Sequence, residues 1–99
     1  MRIRETGLAR RDIDRLYLFG LNTYGEKSAD AYVIRLLDKF GLICEHPEMA
    51  RERLEVNPPV RVHPHEAHLI VYRSISNEIL ILRILPGGAD WMDEIFSEI

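Results

Sequence analysis

The segment from Glu66 to Leu85 constrains the chain most. Glu66-Ala67-His68-Leu69-Ile70-Val71-Tyr72-Arg73 and Glu78-Ile79-Leu80-Ile81-Leu82-Arg83-Ile84-Leu85 flank the short polar stretch Ser74-Ile75-Ser76-Asn77. Two β-branched and aliphatic runs around a Ser/Asn turn predict a β-hairpin. With the turn centred on Ser76-Asn77, Tyr72 pairs with Ile81, Ile70 with Arg83 and Leu69 with Ile84. One face then carries Leu69, Val71, Leu80, Leu82 and Ile84, with Arg73 beside the turn. The other carries His68, Ile70, Tyr72, Ile79, Ile81 and Arg83. A solvated sheet face is mostly polar, so this second face is predicted to be covered as well, by something that tolerates an imidazole, a phenol and a guanidinium. A foreign polypeptide is the expected cover. A three-residue loop would slip the register and scramble the sorting.

Ninety-nine residues allow one domain, 1–99, with one modest core. The chain is 46% hydrophobic and 29% charged, which argues against disorder. The net charge of −3 is unevenly placed. Residues 1–50 carry eight bases and eight acids, and residues 51–85 five arginines against four glutamates. Residues 86–99 hold Asp90, Asp93, Glu94 and Glu98 and no base. An excess of one positive charge over 51–85 is a weak footprint for nucleic acid, so no direct nucleic-acid binding is expected. The single cysteine, Cys44, rules out an intrachain disulfide and fits a reducing cytoplasm. Met1-Arg2-Ile3-Arg4-Glu5 lacks a signal-peptide pattern, and the aliphatic runs are too short to span a membrane.

Arg2–Glu5 alternates like a short strand, and Thr6 is placed to cap the next element. Apolar residues at Ile13, Leu16, Tyr17, Gly20, Leu21 and Tyr24 have helical spacing. Leu18 and Phe19 fall off that stripe; they either contact another chain or extend the core coverage. Gly25-Glu26-Lys27 reads as a connector and Ser28 as the cap of a second helix. That helix runs to about Cys44, with Ala29, Tyr32, Val33, Leu36, Phe40, Ile43 and Cys44 on one side. Two amphipathic helices so joined form an antiparallel hairpin. Cys44 lies on the buried stripe and reads as inert core. Pro47 ends the helix. The stretch 49–59, which holds Arg51 and Arg53, has no period. Val60-Arg61-Val62-His63 reads as a strand, Pro86-Gly87-Gly88 as a stop, and Trp91 to about Glu98 as a short helix capped by Asp90. The fold class is α+β: a short N-terminal strand, a helical hairpin packed on a three- to four-stranded mainly antiparallel sheet, and a C-terminal helix.

His63, His65 and His68 cluster without metal-ligand spacing, so no metal and no cofactor is expected. The constellation with chemical content is Arg61, His68, Tyr72 and Arg83, with Arg51 and Arg53 near in sequence. Such a set can clamp a phosphodiester and cleave RNA without metal, or bind a carboxylate-rich protein segment through the same guanidinium forks. The residues alone favour binding, through Arg51, Arg53, Arg61, His68, Ile70, Tyr72, Ile81 and Arg83, with Leu18 and Phe19 as further contacts.

Several blocks resemble the ParE/RelE toxin superfamily of bacterial toxin–antitoxin systems, the ParE branch in particular. They are Tyr24-Gly25-Glu26-Lys27-Ser28-Ala29-Asp30-Ala31-Tyr32, Pro47-Glu48-Met49-Ala50-Arg51, Val60-Arg61, His68-Leu69-Ile70-Val71-Tyr72-Arg73 and Ile81-Leu82-Arg83-Ile84-Leu85. Their order and spacing carry the likeness. It implies a toxin that inhibits DNA gyrase by binding it, without catalysis of its own, and that forms a hetero-oligomer with a ParD-like antitoxin, often of ribbon-helix-helix type. The RelE branch implies ribosome-dependent mRNA cleavage instead. Relatives commonly place His, Gly and then often Arg after the last block; Pro86, Gly87 and Gly88 stand here, which leaves a third reading, an attenuated relic that only binds. The acidic tail, 86–99, either folds back near Arg61 and Arg83 in imitation of the antitoxin or only serves helix amides in its first turn.

Overall fold

The computed structural model describes residues 2–96. Strand β1 (Arg2–Glu5) leads directly into helix α1 (Gly7–Tyr24). Thr6 makes the junction as predicted: its Oγ accepts from the Ala9 backbone N–H at 3.0 Å and donates to the Leu82 carbonyl at 2.7 Å. One hydroxyl therefore caps the helix and ties it to the sheet beneath.

Helix α2 (Glu26–Glu45) follows after Gly25 alone. The three-residue connector and the Ser28 cap are corrected, since Ser28 lies inside α2. Gly25 makes the tighter turn possible, with φ at 94°, a region other residues avoid. Its N–H donates to the Leu21 carbonyl and its own carbonyl accepts from Ala29 N–H, so one residue closes both helices. Helix α2 ends at His46, ahead of Pro47, where it was expected to end.

The sheet has five strands: β1, β2 (Glu52–Arg53), β3 (Val60–His65), β4 (His68–Ile75) and β5 (Glu78–Pro86). Their order is β1-β5-β4-β3-β2, with β1 parallel to β5 and the other neighbours antiparallel. The unforeseen strand is β2, whose two residues are too few to show alternation. Helix α3 (Trp91–Phe96) begins where Asp90 Oδ1 accepts from Asp93 N–H. Its expected continuation to Glu98 lies outside the described residues.

Ser76 and Asn77 adopt positive φ values of 46° and 64°, the geometry of a two-residue hairpin turn. Tyr72 pairs with Ile81 as expected. Beyond that point the expected pairs are corrected: Val71 faces Arg83, Ile70 faces Ile84 and Leu69 faces Leu85. A β-bulge at Val71/Tyr72 leaves Leu82 as the extra residue. The partner of the β5 edge changes at the same place. Strand β1 stops opposite Ile81, and α1 takes over the exposed edge of β5, with Asp12 Oδ2 accepting from Ile84 N–H at 2.9 Å.

The helices bury Ile70, Tyr72, Ile79, Ile81 and Ile84 beneath Ala9, Leu36, Phe40 and Ile43, with Ile13, Leu16 and Cys44 at the margin. This is the face expected to await a foreign polypeptide, and the chain's own helical hairpin closes it. Its polar groups pointed the wrong way because the chain supplies polar partners for them: Tyr32 reaches His68, and the Pro47 carbonyl meets the Tyr72 hydroxyl. The opposite face buries Val56, Val60, Val62, Val71 and Leu85, with Leu69, Leu82 and three α3 side chains (Trp91, Met92 and Ile95) packed on them. Among the described residues no helix is long and apolar enough to cross a membrane.

Candidate partner-binding site

Arg83 is the most completely engaged member of the predicted constellation. The bulge turns it toward the sheet edge, where its Nε and Nη2 donate to the Asp12 carboxylate at 2.7 and 3.0 Å. Both side chains are about nine-tenths buried, and Glu94 of α3 approaches Arg83 Nη1 at 3.7 Å. The Asp12 hydrogen bonds hold the guanidinium proton more firmly than usual, against the opposing pull of burial. Sequence reasoning missed Asp12, one of two acids in an arginine-rich helix whose contact with β5 is purely tertiary.

Arg61 and Tyr72 pair across β3 and β4, as adjacent-strand pairing suggested. They hold the segment that follows α2. Arg61 Nη1 donates to the Ala50 carbonyl at 2.6 Å and Tyr72 Oη to the Pro47 carbonyl at 2.8 Å. Burial raises the Tyr72 phenol above its ordinary pKa, so it stays a donor. Ile70, Tyr72 and Ile81 are fully buried, so as contact residues they are corrected to core: none offers surface to a partner. Arg51 is exposed. Arg53 is half-buried; its guanidinium lies 5.4 Å from the centre of the Trp91 ring and 3.6 Å from Glu55 Oε2. Leu18 and Phe19 stand clear of the core at 55% and 65% exposure, with Phe19 edge-on to Tyr24.

His68 belongs to a separate cluster at the β3–β4 turn. Its Nδ1 lies 2.6 Å from Tyr32 Oη. Arg35 donates two hydrogen bonds to Glu66 at 2.8 and 3.0 Å, and His65 Nε2 lies 3.4 Å from the same carboxylate. Tyr32 and Arg35 were legible only as helix residues, because their partners sit more than thirty positions away. Burial lowers the pKa of His63, His65 and His68; Lys39 adds to this for the first two and His65 for the third. Glu66 opposes the shift at His65 and Asp12 opposes it at His68. The unfolded chain therefore binds protons that the native one refuses. Stability is fully present above the ordinary histidine pKa near ~6.5 and is lost as pH falls through the depressed native values. Melting curves between pH 7.5 and 5 are expected to drift downward, and His68→Asn to flatten the slope. A flat profile in the parent chain would contradict the assignment.

Among the described residues no group of three or more His, Cys, Asp and Glu is placed to hold a metal ion. The guanidinium, imidazole and phenol that could act on a phosphodiester each have an internal partner. The geometry serves cohesion first, and of the predicted contact residues it leaves Arg51, Leu18 and Phe19 exposed.

The profile of the family described as "ParE toxin of type II toxin-antitoxin system, parDE" matches residues 3–91. The chain belongs to the ParE toxin family. It is 29% identical over 76 residues to Toxin ParE3 of Caulobacter vibrioides, covering 77% of this chain and 76% of that protein. A solved structure titled "Chromosomal ParDE TA system from P. aeruginosa" shares the fold, with a TM-score of 0.75 and 24% identity across 87% of this chain and 95% of that one. In this ParE-family toxin the blocks that carried the resemblance map onto the hairpin junction at Gly25, the pinned segment 47–51 and the central pair β4–β5. The family match stops at Trp91, where α3 begins.

Proposed function

We propose that this ParE-family toxin inhibits DNA gyrase by binding it in the cytoplasm, and that a ParD-like antitoxin of ribbon-helix-helix type silences it in a hetero-oligomeric complex. The observation that carries the reading is the internal engagement of Arg83, Tyr72 and His68. A reacting group must reach its substrate, and these three are held by Asp12, Pro47 and Tyr32. Arg51, Arg53, Leu18 and Phe19 are then the side chains that meet partners, while Arg61 shapes the segment carrying Arg51.

The test is expression of the toxin alone in bacteria, followed by the same experiment with a candidate antitoxin co-expressed. Arrest with a DNA-damage response, loss of supercoiling by purified gyrase in the presence of the toxin, and rescue by the antitoxin are the expected results. Codon-phased mRNA cuts that vanish in Arg83→Ala would replace this reading with RelE-type cleavage. Harmless expression would leave the binding-only relic suggested by Pro86 and Gly88.

A further inference from the structure

We propose that the outer face of the helical hairpin, turned away from the sheet, joins a second copy of the chain about a two-fold axis, with α1 of each copy lying over α2 of the other. Neither gyrase nor an antitoxin is needed for this association.

The face is apolar where the outside of a helix is usually polar. Ile34, Leu37 and Leu42 of α2 are 59%, 49% and 42% exposed, and Leu18 of α1 stands out beside them. Helical spacing puts Leu18 on one stripe with Gly7, Arg11 and Asp14, and the α2 residues on another with Asp38 and Gly41. Contiguous exposed apolar surface of this kind marks an interaction site. The two glycines have no internal reason to be glycine. A Cβ at Gly7 or at Gly41 would meet nothing within 4 Å. Gly41 stands inside α2, where glycine is less stable than alanine. What both positions allow is the close approach of another backbone.

That backbone fits best when it is the chain's own. The Tyr17 hydroxyl donates to Asp30 at 2.7 Å, and a Cβ at Gly20 would lie 3.5 Å from that of Ala29, so residues whose numbers add to about 48 stand level on the two helices. A two-fold axis along the hairpin keeps those levels while exchanging α1 for α2. Arg11 of each copy then meets Asp38 of the other, and neither has an ion-pair partner among the described residues. Gly7 meets Gly41. Ile34 stands over the other copy's groove of about 440 Å³ between its helices, lined by Ile13, Asp14, Tyr17, Leu18 and Val33. The facing helices run antiparallel, as in a four-helix bundle. Two helices ~27 Å long and ~10 Å across offer roughly 500 Å² per copy. That is near the lower bound for a specific interface, so the dimer is reversible and concentration-dependent.

Sedimentation velocity of the purified full-length toxin, run from low to high micromolar concentration, reads the association directly. A monomer–dimer equilibrium that weakens with added salt is expected. Arg11→Asp or Asp38→Arg alone is expected to weaken it about tenfold, and the two together to restore it to within about threefold. Gly41→Gln is expected to raise the melting temperature of the monomer and yet weaken the dimer about tenfold, because the side chain that favours the helix blocks the approach. Asp14→Ala removes a carboxylate from the groove that receives Ile34 and is expected to tighten the dimer about threefold. A toxin that stays monomeric over the whole range overturns the proposal. So does a dimer that the charge swap fails to restore, or that Gly41→Gln leaves unchanged, since either result places the contact on another surface. Hydrogen-exchange protection around Ile34 and Leu37 that appears only with antitoxin or gyrase added gives the face to that partner and overturns it as well.

Discussion

Asp12→Ala is expected to destabilise the toxin by about 3–5 kcal/mol, the cost of leaving a buried guanidinium without its main counter-charge. Asp12 accepts from Arg83 Nε, Arg83 Nη2 and the Ile84 backbone N–H, so one truncation removes the acceptor of three hydrogen bonds. Glu94 remains near Arg83 but is about half exposed and 3.7 Å away, too far and too well solvated to take over. A domain of this size has only ~5–15 kcal/mol in hand. At ~4–8 °C per kcal/mol, the melting temperature should fall by roughly 12–40 °C. The double variant Asp12→Asn, Arg83→Met removes both charges and keeps an acceptor for Ile84 N–H; most of the lost stability should return. Chemical denaturation with an unchanged m-value checks both results. A loss below about 1 kcal/mol in Asp12→Ala would mean that the pair is peripheral.

Tyr72→Ala is expected to be nearly as damaging, by about 3–5 kcal/mol, as for other large core aromatics. The side chain is fully buried among Ile70, Ile81 and the α2 residues, and its hydroxyl holds the Pro47 carbonyl. Tyr72→Phe isolates the hydrogen bond and should cost about 1 kcal/mol. The pair of variants separates two roles. A contact residue truncated to alanine loses partner affinity and keeps its melting temperature, whereas a core residue loses melting temperature first. Thermal melts, with antitoxin affinity measured well below the midpoint, distinguish them.

Much of the architecture was readable because it rests on local chemistry. Thr6 and Asp90 cap helices through their own side chains, Pro47 follows the end of α2, and Ser76-Asn77 turns the hairpin where alternation requires a turn. The connector between the helices was misjudged because Gly25 alone, at positive φ, does the work expected of three residues. Strand β2 escaped notice because two residues carry no period.

The candidate site was less legible. Arg61 and Tyr72 were correctly placed side by side, since pairing register follows from the strands. Arg83 was placed on the wrong side of the sheet, because a single-residue bulge reverses every later side chain, and its partner there, Asp12, lies seventy-one positions away. The half-polar face read as an invitation to a partner, yet Tyr32 and the Pro47 carbonyl, both from the chain itself, satisfy it.

Taken alone, the sequence determined the elements other than β2, their order, the α+β class and the likeness to ParE toxins, all of which follow from short-range spacing and from ordered blocks of residues. Only the tertiary structure decided which sheet face the helices cover, which acid holds Arg83 and what lies on the opposite face. Those outcomes depend on partners distant in sequence, and nothing in a polar side chain's own neighbourhood says whether its hydrogen bond will be met from within the chain or from another molecule.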